Sequence, residues 1–184
     1  MDVFHWIIVP VSTVLGLTIT RVLTGYVAAF KARGRLTFDW LPIVFAAAIL
    51  GESFQFWWAL LELSALRNWS LASFTLLLAM AMALFSAAAL IVPSETDDNM
   101  WTGFERDGRW ALAALAGFHL LALIVNGWLY KAAILSTPQA LEALLAILCL
   151  HGGLTRRRRV QEIVAVLYAL LSTINTFTAS VREY

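Results

Sequence analysis

Only a handful of side chains able to do chemistry stand inside the apolar runs of this chain. Arg21, Glu52, His119 and Asn175 each interrupt a long hydrophobic stretch. Gln55 follows Glu52 one helical turn later, and Asn126 follows His119 two turns later, so each pair shares a helix face. An imidazole titrates near neutral pH, a carboxyl group can exchange a proton, and a guanidinium stays charged. This set predicts an ion pair between Arg21 and Glu52, bordered by His119, with Gln55 and Asn175 completing the hydrogen bonds. Two uses follow from it. The cluster is either a structural clasp that fixes helix register, or a path or binding site for an ion, a proton or a small solute.

The elements that must position these groups are membrane-spanning helices. Hydrophobic residues make up 61% of the 184 residues and charged residues 14%, and the mean hydropathy is +0.78. Average soluble domains are about 45–50% apolar and about 25% charged. A water-soluble bundle of this composition would expose large apolar patches and aggregate. The expected fold is therefore all-α, a polytopic membrane helix bundle of about six transmembrane helices in one domain, residues 1–184. Six runs are long enough, at about 6–30, 40–63, 71–92, 110–130, 138–154 and 160–180. The fifth is short and carries Glu142 near its start, but Thr137-Pro138 reads as a helix start and Gly152-Gly153 as a stop. Counted from the span ends at 1.5 Å per residue, Arg21 and His119 lie ~15 Å deep, Glu52 ~18 Å and Asn175 ~22 Å. Four spans thus bring a polar group to mid-membrane.

Lysine and arginine in the loops predict the orientation. Lys31, Arg33, Arg35, Arg106, Arg109 and the run Arg156–Arg159 fall in loops one, three and five, against Arg67, Lys131 and Arg182 on the other side. This bias puts the odd loops, including the hydrophilic loop 93–109, in the cytoplasm and both termini outside. The start Met-Asp-Val-Phe-His lacks the basic region of a signal peptide, so the first span is expected to be retained. Trp6, Trp40, Trp69, Trp101, Trp110 and Trp128 fall near span ends, where indole prefers the interface. Trp57 and Trp58 lie deeper and read as lipid or helix contacts.

Small residues at four-residue spacing mark two packing faces, Ser12-Gly16-Thr20 and Ala79-Ala83-Ala87, for contacts within the bundle or in a homo-oligomer. The run Arg156, Arg157, Arg158 and Arg159 is a topology signal and a candidate contact for anionic lipid headgroups. Other chemistries find no support. The three histidines lie at different depths, which argues against a haem held by two of them, and with one cysteine they make no structural zinc set. No nucleophile elbow, zinc-protease motif or phosphate-cradling loop occurs. A net charge of +1 offers no field for nucleic acid. Glu95, Asp97 and Asp98 read as a solvated loop, and Asn68-Trp69-Ser70 as a chance glycosylation sequon beside the membrane. The chain is thus expected to be no enzyme, to need no cofactor or metal, and to have the lipid bilayer as its partner.

Three segments resemble a family. They are Val14-Leu15-Gly16-Leu17-Thr18-Ile19-Thr20-Arg21-Val22-Leu23-Thr24-Gly25, Gln55-Phe56-Trp57-Trp58, and Phe104-Glu105-Arg106-Asp107-Gly108-Arg109-Trp110. With the basic run before span six, they look like a family of small, uncharacterised bacterial multi-spanning inner-membrane proteins. Asp107-Gly108 departs from the more basic run expected there. The resemblance implies a multi-pass location in the bacterial inner (plasma) membrane and brings no known activity.

Overall fold

The computed structural model describes residues 3–34, 37–66, 69–92, 100–133 and 136–180. Arg35, Arg67, Asn68, the acidic residues Glu95, Asp97 and Asp98, and Arg182 lie outside the described residues. Among the described residues six α-helices make up the fold: α1 Val3–Lys31, α2 Trp40–Glu62, α3 Leu71–Ile91, α4 Met100–Trp128, α5 Thr137–Leu154 and α6 Arg158–Ser180. A single 3-10 turn, Leu63–Ala65, extends α2. All six helices are long and apolar enough to cross a membrane. Lipid contact explains why large side chains such as Val9, Leu120, Ile147 and Phe177 point outward.

Local chemistry sets several helix starts. The Asp39 carboxylate accepts the Leu41 N–H at 2.9 Å and begins α2. Ser70 accepts the Ser73 N–H at 3.1 Å and begins α3. Pro138 lies in the first turn of α5, where its missing N–H goes unneeded.

The main departure from the sequence reading is at α4. The hydrophilic stretch expected as loop through Arg109 is helical from Met100 onward. Met100, Phe104, Gly108, Ala111 and Leu115 are buried, at steps of three or four residues, with Glu105, Arg109 and Trp110 exposed between them. One face of this segment is therefore apolar or small enough to pack, and α4 continues as an amphipathic extension. The glycines expected to stop α5 also lie within it. A Cβ on Gly153 would stand 3.3 Å from the Arg109 carbonyl oxygen and 3.5 Å from the Leu112 Cβ. This glycine lets α5 approach the α4 backbone closely.

In cross-section the helices run around the bundle in the order α1, α3, α4, α5, α6, α2, and α2 also reaches α3 and α4. Phe45, Ile49, Leu60, Leu77, Leu84 and Leu115 are among the side chains filling the core. At one end Arg158 binds Asp39 through both terminal guanidinium nitrogens, with Nη2 2.8 Å from Oδ1. The same guanidinium lies 4.2 Å above the Trp101 ring and donates to Glu162 at 2.7 Å. The starts of α2, α4 and α6 therefore meet at one end, called here the arginine-rich end.

Candidate functional site

Within the bundle, four helices contribute to a polar network. On α6, Tyr168, Ser172 and Asn175 are spaced by four and three residues, which aligns them on the buried face. His119 occupies the buried face of α4 between Leu115 and Ala122, and Glu142 that of α5 between Gln139 and Leu145. Glu52 and Gln55 come from α2.

His119 and Tyr168 are both 0% exposed. The His119 Nδ1 stands 2.7 Å from Glu142 Oε2, and its Nε2 stands 2.9 Å from the Tyr168 hydroxyl. Asn175 Nδ2 donates to Glu142 Oε1 at 2.8 Å. The imidazole thus bridges a phenol and a carboxylate, and the same carboxylate is held from its other oxygen. A second branch lies beside it. Ser172 Oγ donates to Glu52 Oε1 at 2.6 Å, and Thr176 Oγ1 donates to Gln55 Oε1 at 2.7 Å. The two branches share α6, where Ser172 and Asn175 are one turn apart.

A cavity of about 60 Å³ is lined by both Glu52 and Glu142. Gln55, Asn126 and Tyr130 line it on the side away from the arginine-rich end. This volume has room for a few water molecules. Tyr130 is fixed there by a 2.6 Å hydrogen bond from its hydroxyl to the Ala59 carbonyl. An imidazole bonded at both nitrogens can pass a proton from one ring edge to the other, and the cavity gives two carboxylates a common polar space.

Of the residues singled out from the sequence, Glu52, Gln55, His119 and Asn175 enter this arrangement. Asn126 lines the cavity wall without entering the hydrogen-bonded chain. Arg21 goes elsewhere. Its guanidinium makes long hydrogen bonds to the carbonyls of Ala89 and Val92 at the end of α3, 3.4 and 3.5 Å away, while Glu52 is held by Ser172. The expected Arg21–Glu52 pair is therefore corrected. Depth counted from the end of α1 misplaces Arg21, because α1 overshoots α3: Gly25 already lies against Val92, the residue that caps α3. Glu142, Tyr168, Ser172 and Thr176 were not singled out from the sequence. The i, i+4, i+7 spacing of Tyr168, Ser172 and Asn175 was the available signal.

The arginine run is also divided. Arg158 is drawn into the contact with Asp39, Glu162 and Trp101, while Arg156, Arg157 and Arg159 are exposed. Arg158 is a helix-tying residue rather than a free headgroup contact.

No family model matches the chain, and no curated protein or solved structure matches it either.

Proposed function

We propose that this chain is a structural or accessory protein of the bacterial inner membrane, with both termini on the outer side and no catalysis of its own. In this reading the network of His119, Glu142, Tyr168 and Asn175, with Glu52 and Ser172 beside it, is a clasp that holds α2, α4, α5 and α6 in register. One observation carries the reading: the polar groups satisfy one another. Both histidine nitrogens and both oxygens of Glu142 have partners within hydrogen-bonding distance. Unpaired polar groups in hydrocarbon are strongly unfavourable, so a self-satisfied set favours one arrangement of helices. The basic bias of the odd loops supports the orientation, and the resemblance of the Arg21 and Trp110 segments supports the location.

A second reading has its own observation, the cavity that Glu52 and Glu142 both line. It supports a small channel or transporter that passes a proton, ion or small solute through the polar cluster. Flux in proteoliposomes separates the two. Wild type and Glu52→Gln are reconstituted side by side, with folding followed by gel filtration. The clasp reading expects no flux above empty liposomes and a less stable variant. Flux in the wild type that changes in a well-folded Glu52→Gln overturns it in favour of transport.

A further inference from the structure

A groove of about 940 Å³ opens at the arginine-rich end where α4, α5 and the start of α6 converge. Ligand pockets run to roughly 300–1,000 Å³, so this one is of binding size. One part of its lining is apolar: Trp101, Phe104, Trp110, Leu150 and Leu154. Trp110 and Leu154 are 58% and 85% exposed, so this wall opens sideways to where lipid chains lie. The other part is basic. Arg106, Arg109 and Arg156 line it, against Glu105 as the single acid.

The three arginines are not equivalent. Arg106 is engaged by Asp107 at 2.7 Å. Arg109 and Arg156 have no acidic partner among the described residues. The Arg109 guanidinium lies 4.9 Å from the centre of the Trp110 ring, which keeps a cation beside the apolar wall. An arginine presents a planar fork of donors that matches a phosphate. The groove therefore couples two cations to an indole and leucine wall at the level where a helix bundle meets headgroups.

We propose that this groove is a binding site for an anionic glycerophospholipid, entering sideways from the adjacent leaflet. Its phosphate lies between Arg109 and Arg156, and the upper part of an acyl chain lies along Trp110, Leu150 and Leu154. A free phosphate or a nucleotide would leave that wall unused. A zwitterionic lipid would bring a cationic group toward the arginines. The site depends on one arginine from α4 and one from the α5–α6 connection, and Arg157 and Arg159, also exposed but outside the lining, take no part in it.

The test uses the full chain in neutral detergent, with dioleoyl phosphatidylglycerol and dioleoyl phosphatidylcholine as the two lipids. Retained lipid is read by native mass spectrometry. Phosphatidylglycerol is expected to be retained about tenfold better than phosphatidylcholine, and the double variant Arg109→Gln/Arg156→Gln to lose about tenfold of that retention. Ala113→Phe, which fills the groove from an exposed lining position, is expected to lower retention as well without removing a charge. Arg157→Gln/Arg159→Gln is expected to leave retention unchanged. Equal retention of the two lipids overturns the proposal. So does an equal loss in the Arg157/Arg159 variant, which would mean that basic residues hold lipid without a site. Retention unaffected by Ala113→Phe also overturns it.

Discussion

His119 on α4 and Glu142 on α5 meet at 2.7 Å, Nδ1 to Oε2, with both residues buried. The contact joins adjacent helices, and α6 closes it from both sides: Tyr168 on the far nitrogen of His119 and Asn175 on the far oxygen of Glu142. The carboxylate of Glu142 on α5 is thus the common partner of α4 and α6, and joins the three helices.

Truncating that carboxylate leaves two buried donors facing a void. Glu142→Ala is expected to destabilise the fold by about 2–6 kcal/mol, about 1–3 kcal/mol for each of the two buried donors left without an acceptor. Glu142→Gln should be milder. Its amide oxygen can still accept from Asn175, while its NH₂ can donate to His119 Nδ1. The imidazole then carries its proton on Nε2 and donates to the Tyr168 oxygen. Thermal unfolding in detergent checks the order wild type, Gln, Ala. Equal stability of Glu142→Ala and wild type would mean that the network ties nothing together.

The helices were legible because a long apolar run has few solutions in lipid, and six such runs are present. His119, Glu52, Gln55 and Asn175 were legible for the complementary reason: a polar group isolated in an apolar helix must find a partner inside. Glu142 was hidden by its position near the start of a short span, where a carboxylate reads as an interfacial residue. Tyr168, Ser172 and Thr176 were hidden because phenols and hydroxyls are ordinary in such helices. A serine or threonine can also satisfy itself on its own backbone, as Thr13, Thr18 and Thr20 do. Arg21 was misread because its depth depends on how far α1 projects past α3, and that is a packing property rather than a property of either segment. The helical start of α4 was missed because charges at Glu105, Arg106, Asp107 and Arg109 mask the buried series Met100, Phe104, Gly108 and Ala111.

Asp39 has two roles, and acid separates them. Burial by itself would raise the pKa of its carboxyl group. The hydrogen bonds from Arg158 and the Leu41 N–H, with the Arg158 charge, outweigh burial and hold it below the ordinary aspartate value. A carboxyl group lowered in the folded state stabilises the fold above its unfolded pKa, about 4, and that contribution fades as pH falls through the lower folded value. The wild type should therefore lose stability below about pH 4 more steeply than Asp39→Asn. At neutral pH, Asp39→Asn should lose about 1 kcal/mol, since Arg158 is partly exposed and asparagine still caps α2. Asp39→Ala should lose about 1 kcal/mol more through the missing cap. Melting curves at stepped pH measure this. Parallel acid limbs for wild type and Asp39→Asn would show that the Arg158 contact contributes nothing to stability.

Gly25 marks where α1 comes nearest to α3. A Cβ at this position would overlap the Val92 Cγ1 and lie 3.0 Å from its Cβ and 3.1 Å from its Cγ2. Gly16, in the small-residue stripe read from the sequence, has nothing within 4 Å of such a Cβ. The two glycines should therefore respond oppositely to the same change. Gly16→Ala removes backbone freedom from the unfolded chain without a clash and should be neutral or stabilising by up to about 1 kcal/mol. Gly25→Ala gains the same propensity but forces Val92 or the helices to shift, and should be net destabilising by about 1–3 kcal/mol. Shaving the opposing side chain should restore part of the loss, so Gly25→Ala/Val92→Ala is expected to be more stable than Gly25→Ala alone. Arg21, which reaches the Val92 carbonyl one turn along α1, should lose its α3 partners in the single variant if the helices are pushed apart. Unfolding of the three variants in mixed detergent provides the comparison. If Gly25→Ala behaves like Gly16→Ala, α1 and α3 do not pack through this glycine.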